Sequence, residues 1–428
     1  MDGNSRVTAG RDAPTAGRFS PEGQRLLERV RRFMDDHVYP NEDRFYREVD
    51  QVGPYGHPPV IDELRRRAAD LGLWNLFLPD LRPGEPGSRL SNLDYAPISE
   101  ELGKVWFATE VLNCQPPDSG NIEILHQYAT PVVRERWLRP LLEGTVRSAY
   151  SMSEPETASS DATNISLSIE RDGDQYVLNG RKWFTSGALY ERCGLLVVMG
   201  RSNPENARHR QHSMVVVPRD TPGLEFGMRP TVFGYEERGG HPEVIYNDVR
   251  VPRDHLLGEE GGGFAIAQAR LGPGRIHHCM RAIGVAERAL SMMVARSLER
   301  STFGVRLAHR GTIQQWVAES RINIDMARQY VHHAAHLMDT VGNKEAATEI
   351  AGIKVAIPRI CFEVVDRAVQ VHGAAGVTQS TPLAYMYVKM RTLRLADGPD
   401  EVHQMSIARR EMRKHDPGFH ITSGRPPA

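Results

Sequence analysis

Apolar residues recur at helical spacing through the first third of the chain. Leu26, Leu27, Val30, Phe33 and Val38 follow Ser20, Pro21 and Glu22, which together make a helix start. The same periodicity predicts helices from Pro59 to Leu71, from Asp94 to Val105 and across Asn121 to Glu143, the last opened by Gly120 and Asn121 and broken at Pro131 and Pro140. Leu73 to Pro79 reads as a short apolar link. Near Gly144 the pattern shifts to short runs that are rich in β-branched residues or alternate in polarity: Ala149 to Ser153, Ile165 to Glu170, Gln175 to Leu178, Leu195 to Met199, His212 to Val217 and Glu243 to Val249. Arg171-Asp172-Gly173-Asp174, Asn179-Gly180 and Thr221-Pro222-Gly223 are turn signals between them, the Asn-Gly pair being a hairpin signal. Helical spacing then returns from Phe264 to Leu298, Gly311 to Val341, Lys344 to His372 and Pro382 to Leu395, with Gly261-Gly262-Gly263 as a flexible connector.

Strands segregated in this way do not build a parallel βαβ sheet. The expected class is multidomain α+β: an N-terminal helical domain (20–147), a middle β-barrel or sandwich (148–258) and a C-terminal helical bundle of four-helix type (259–428). Residues 1–19 lack an apolar core and read as a disordered lead-in rather than a signal peptide. Neither GxGxxG after a strand nor GxxxxGK[ST] is present, so Rossmann and P-loop nucleotide sites have no support.

Composition narrows the partners. The 428 residues carry 53 Lys+Arg against 54 Asp+Glu, a net charge of -1, and this balance argues against nucleic acid. Cys114, Cys193, Cys279 and Cys361 are scattered, which suggests a reducing compartment, and no apolar run is long enough for a membrane helix. A cytoplasmic protein without membrane insertion is expected. His332, His333, His336 and the pair His277-His278 read as surface residues, and no metal is expected.

The candidate chemistry centres on Leu393-Arg394-Leu395-Ala396-Asp397-Gly398-Pro399-Asp400-Glu401. One helix must stop at Gly398-Pro399 and another starts there, with Pro399 at the first position and Asp400 and Glu401 where the helix dipole favours negative charge. Asp397 therefore sits in a tight joint, either as a cap for the second helix or as a base held by rigid elements. Upstream, Tyr150-Ser151-Met152-Ser153-Glu154-Pro155, leading to Ser159, Ser160 and Asp161, is a strand running into a hydroxyl-rich loop able to bind a ring edge and a pyrophosphate. The strand Asn179-Gly180-Arg181-Lys182-Trp183-Phe184-Thr185-Ser186 adds two aromatics and two hydroxyls, which are either core or a cofactor wall.

These segments, in this order, resemble the acyl-CoA dehydrogenase family, most of all a branch whose larger members carry a kinase-like domain ahead of the dehydrogenase module. The resemblance implies FAD as cofactor, an acyl-CoA thioester as substrate and α,β-dehydrogenation. Electrons would leave to an electron-transferring flavoprotein, and the oligomer would be a homodimer or homotetramer. It places Asp397 at the family's carboxylate base, which is more often Glu, with Gly398 beside it and Arg275 near the acyl-CoA. Tyr150, Met152, Ser153 and Ser159 or Ser160 take the flavin-loop roles, the same serine also meeting the pantetheine. Phe184 and Ser186, or Trp183 and Thr185 in a shifted register, take the flavin face and its N5. Arg300 and Phe303 match Arg-x-x-Phe-Gly, while Gln370, Gly373 and Ala374 match the Gln-x-x-Gly-Gly turn; both are implied contacts to a neighbouring subunit's FAD. Pro399 and Glu401 fall at further cofactor positions. The chain departs from the pattern at Gly311 and Pro399, where relatives carry Gln and Thr. A flavin oxidase resembling nitroalkane oxidase and a catalytically idle flavin-binding relative are the alternatives.

Overall fold

A computed structural model describes residues 18–419. The expected lead-in therefore lies outside the described residues up to position 17. Phe19, its last residue, is buried and meets the ring of His332 edge-on at 5.3 Å.

The helix–β–helix order stands. Helices span Pro21–Phe33, Glu42–Val52, Pro59–Asp70, Asn92–Gly103 and Asp118–Tyr128, and the last begins before Gly120 because Asp118 and Ser119 already belong to its first turn. Seven strands follow: β1 (Arg147–Ser151), β2 (Ser168–Asp172), β3 (Gln175–Lys182), β4 (Cys193–Arg201), β5 (His212–Pro218), β6 (Leu224–Phe226) and β7 (Val244–Pro252). They pair as β1-β4-β2-β3-β7-β6, with β5 on β4, in one curled sheet. Its buried face gathers Leu178, Leu196, Val198, Val215, Val217, Val249 and Val251. Each such side chain contributes roughly 1.5–3 kcal/mol on burial.

Two expectations fail here for local reasons. Asn179-Gly180 is no turn: it lies inside β3 at a register break against β7, while the β2–β3 hairpin closes at Gly173-Asp174. Gly180 has φ 143°, and a Cβ there would come within 3.0 Å of Leu167 Cα, so close backbone approach explains the glycine. The three glycines at 261–263 are packed rather than loose. Gly261 N–H donates to Ser213 Oγ at 2.9 Å, and a Cβ on Gly263 would lie 2.7 Å from Ser213 C.

The long helices are Gly263–Glu299, Gly311–Thr340 and Ala347–His372, with Leu383–Leu393 and Asp400–His415 after them. The backbone packs as two compact units: one comprises residues 22–91 and 105–274, and the other residues 18–21, 92–104 and 275–419. Helix Asn92–Gly103 thus packs with the C-terminal helices, on Gly311–Thr340. Close approach makes this possible: a Cβ on Gly103 would meet Arg281 O at 2.2 Å, and one on Gly284 would meet Glu100 O at 1.9 Å. Among the described residues, no helix is long and apolar enough to cross a membrane.

Candidate active site

Asp397 occupies the gap between helices Leu383–Leu393 and Asp400–His415. Its φ of 55° is left-handed, a conformation that Asp tolerates better than most residues, and Gly398 follows at φ 100°. The cap of the second helix falls to Pro399, with no side-chain cap bond. Asp397's carbonyl accepts from Arg275 Nε at 3.0 Å and from His403 Nε2 at 3.2 Å. Lys354, fully buried, donates to Leu393 O at 2.5 Å and to Gly398 O at 3.4 Å. Asp400 receives Arg359 Nε at 3.0 Å and Arg394 Nε at 2.9 Å. The backbone of the joint is thereby tied from three helices, leaving the Asp397 carboxyl partly exposed beside His278 Nε2 at 3.4 Å. Burial pushes His403 down to about 4 and His277 down to about 3, so both rings are neutral near pH 7. Burial likewise lowers Lys354 and, against the Asp397 charge, Arg275.

In the other unit, Glu154 anchors the hydroxyl-rich loop. Its carboxylate accepts from Ser166 N at 2.8 Å, Leu167 N at 2.8 Å and Lys182 Nζ at 2.9 Å, and Glu154, Leu167 and Lys182 are buried. Burial opposes its charge, but Lys182 and the Leu167 N–H hold it below the usual carboxylate range; burial also brings Lys182 down to about 8. Ser159 Oγ accepts from Glu154 N at 2.9 Å and so closes the loop, whereas Ser160 is exposed and Met152 and Ser153 are half-buried. Tyr150, on β1, lies under the guanidinium of Arg270 at 3.9 Å. Arg270 itself donates to Asn121 Oδ1 at 3.0 Å.

After β3 the chain turns sharply. Trp183 N–H donates to Ser153 O at 3.0 Å, tying strand end to loop. Phe184 has φ 51°, is 44% exposed and stacks on His241 at 4.9 Å. Thr185 is fully enclosed, 3.3 Å from Ser151 Oγ. Ser186 is half-buried, its Oγ 2.8 Å from His241 Nδ1, and His241 Nε2 is 3.1 Å from Glu237 Oε2.

Arg300, Phe303, Gln370, Gly373, Ala374 and Glu401 are all exposed, and Pro399 is half-buried. Phe303, 98% exposed at φ 50°, tips the small hairpin formed by 301–302 and 305–306. Gln370 also lines an open hollow with Trp316, Glu363, Asp366 and Arg367.

Sequence reasoning passed over His278, Arg281, Lys354, His403, Lys182 and His241 as contributors. It read His277-His278 and His332 as surface residues, but His277 and His332 are buried and His278 is only 25% exposed at its side chain. His277 meets the ring of Tyr95 edge-on at 5.1 Å, and His332 that of Phe19.

A flavin needs accessible aromatic, hydroxyl and cationic groups beside rigidly held backbone. In the sheet-bearing unit the accessible groups are Trp183, Phe184, Ser160 and Ser186, with Glu154, Lys182 and Thr185 closed off; in the helical unit, taken by itself, they are Arg300, Phe303 and Gln370. The residues fit such a group.

The acyl-CoA dehydrogenase N-terminal, middle and C-terminal domain families match residues 20–145, 149–249 and 261–412. The Mycobacterium tuberculosis protein named probable acyl-CoA dehydrogenase FadE2 is 54% identical over 396 residues, covering 91% of this chain and 95% of that one. Acyl-CoA dehydrogenase family member 11 of Homo sapiens is 50% identical over 399 residues, 92% of this chain, which spans only 50% of that relative's length. A solved Mycobacterium abscessus chain assigned to the acyl-CoA dehydrogenases superposes with a TM-score of 0.89 at 44% identity, over 93% of this chain and 99% of that one.

Proposed function

Because the chain belongs to the acyl-CoA dehydrogenase family of oxidoreductases, we propose that it oxidises an acyl-CoA thioester between its α and β carbons with Asp397 as the base. The observation that carries this reading is the joint itself: a partly exposed carboxyl on a backbone fixed by Arg275, His403 and Lys354. A base that must meet one C–H at one angle needs such fixation, since about 1 Å of misplacement costs on the order of a hundredfold in rate.

Asp397 takes the α-proton, and its main-chain N–H is the proposed donor to the thioester oxygen as charge develops there. When bound, FAD supplies the acceptor for the hydride leaving the β-carbon. In the sheet-bearing unit, Tyr150, Met152, Ser153, Phe184 and Ser186 would hold the ring, with Trp183 beside them. Exposure favours Ser160 over Ser159, and Phe184 with Ser186 over Thr185, for contacts outside the protein. In the helical unit, the exposed Arg300, Phe303, Gln370, Gly373 and Ala374 would serve the adenosine diphosphate half of a second copy's FAD, and Pro399 and Glu401 lie at further cofactor positions. A guanidinium fork suits a diphosphate. An electron-transferring flavoprotein is the proposed electron acceptor, and a cytoplasmic homo-oligomer the proposed form.

Purified protein should be yellow with noncovalent FAD, and a series of acyl-CoAs should bleach it without oxygen. Arg300→Ala should loosen FAD and shift the oligomer. Colourless protein that takes up no FAD on reconstitution would end the proposal.

A further inference from the structure

We propose that His278 is a positioning residue for the base, donating an Nε2 proton to Asp397 in a tautomer fixed by Arg281. The inference rests on Asp397 acting as the base. Arg281 Nη2 lies 3.1 Å from His278 Nδ1, and a guanidinium only donates, so Nδ1 must present its lone pair and the ring proton sits on Nε2. That nitrogen is 3.4 Å from Asp397 Oδ2, longer than an ordinary hydrogen bond and at the far end of what a neutral ring's N–H reaches. Helical geometry sets the arrangement. Arg275, His278 and Arg281 are spaced three residues apart on one face of helix Gly263–Glu299, so Arg275 holds the Asp397 backbone, His278 the carboxyl and Arg281 the ring. Arg281 is itself seated where helix Asn92–Gly103 touches its backbone at Gly103.

The ring does two things. It fixes the carboxyl rotamer, and its N–H stabilises the carboxylate before proton transfer, which keeps the acid limb of the pH profile low. Few other groups facing this pair could produce that limb. On the same helix His277 is pushed down to about 3 and Cys279 up to about 12, both by burial, and Arg275 and Arg281 are cations. From helix Ala347–His372, Lys354 is bound to carbonyls; from helix Asp400–His415, His403 is down at about 4 and Asp400 is held low by Arg394 and Arg359 against its burial.

The test measures anaerobic flavin reduction against pH in FAD-loaded protein, using whichever of butanoyl-CoA to palmitoyl-CoA reduces the parent fastest. His278→Leu should slow reduction on the order of tenfold and move the acid limb up by about one pH unit, because hydrogen bonds to charged groups are of that size. His278→Gln, whose amide nitrogen reaches the Nε2 position, should restore most of both; His278→Asn, too short, should not. If the leucine variant fails to fold, the Gln and Asn pair reads the same contrast. In protein carrying ¹⁵N-labelled imidazoles, the resonance lost in His278→Gln should show the Nε2–H tautomer, with or without FAD. A slower leucine variant whose limb stays in place, or an Nδ1–H tautomer, overturns the inference. Asp397→Asn run in parallel separates the two levels: near-parent reduction there removes the base itself, whereas a dead Asp397→Asn beside an unaltered His278→Leu removes only His278.

Discussion

Of the histidines beside candidate site residues, His278 and His241 take opposite roles because of the charge behind each ring. At the joint, Arg281 donates to the outer nitrogen of His278, so the inner nitrogen offers a proton to Asp397. At the end of β3, Glu237 faces the outer nitrogen of His241; as a carboxylate only accepts, that nitrogen carries the proton and the inner one accepts a hydrogen bond from the Ser186 hydroxyl. One ring thus steadies a carboxylate, and the other turns a hydroxyl's lone pairs outward. The residue type alone says nothing of its role; the outer partner decides it.

Changes at the joint should cost most. Gly398→Ala puts a Cβ about 3.0 Å from His403 Nε2 at a φ of 100°, so the chain must shift where Asp397 is aimed. Flavin reduction should fall on the order of a hundredfold, and Tm should fall as well. Asp397→Glu restores the commoner family residue yet should still lose on the order of tenfold. It lengthens the side chain by roughly 1.5 Å, and Glu suits the left-handed backbone less well than Asp. A variant as fast as the parent in stopped-flow reduction would show the joint to be looser than described. At the strand end the effects should be smaller. Glu237→Leu frees the His241 tautomer, and the Kd for FAD should rise about three- to tenfold, the size of one net hydrogen bond, with proton abstraction at Asp397 unaltered. An unchanged Kd by titration would mean that the Ser186 proton does not matter to the cofactor.

The smallest effect is expected at Glu123. Glu123 is buried, and its Oε2 has no hydrogen-bond partner among the described residues. Burial pushes its carboxyl up to about 8, with Arg270 opposing. A carboxyl raised this way stabilises the fold below its ordinary value of 4.5 and loses that contribution as pH climbs towards about 8. Glu123→Gln should therefore raise Tm by a few degrees at about pH 9 and by less at about pH 5. An equal change at both pH values in calorimetry would count against the shift.

The helix–β–helix order was legible because it depends on periodicity, which burial enforces residue by residue: β4 and β5 read as strands because Leu195 to Met199 and Met214 to Val217 are buried. Asn179-Gly180 misled because the same dipeptide serves a hairpin or a bulge, and only the approach of Leu167 decides which. The joint at Asp397 was legible for a similar reason, since Gly398 and Pro399 punctuate the chain on their own. What surrounds the carboxyl was not. His278 reaches the carboxyl and Lys354 the backbone beside it, both from distant helices, and a histidine on a helix carries no mark in sequence of which face will be covered. The helix Asn92–Gly103 likewise reads as part of the N-terminal segment, yet it packs with the C-terminal helices through two glycines whose purpose only backbone contact reveals.

The central claim is that the Asp397 carboxylate removes the substrate proton. Stopped-flow reduction of FAD-loaded Asp397→Asn by the acyl-CoA that best bleaches the parent tests it most directly, because Asn keeps the shape and tolerates the left-handed backbone. The expected result is retained FAD and the fold intact, with reduction slowed by at least roughly a thousandfold, on the scale general-base loss produces. Bleaching at near the parent rate would place the base elsewhere.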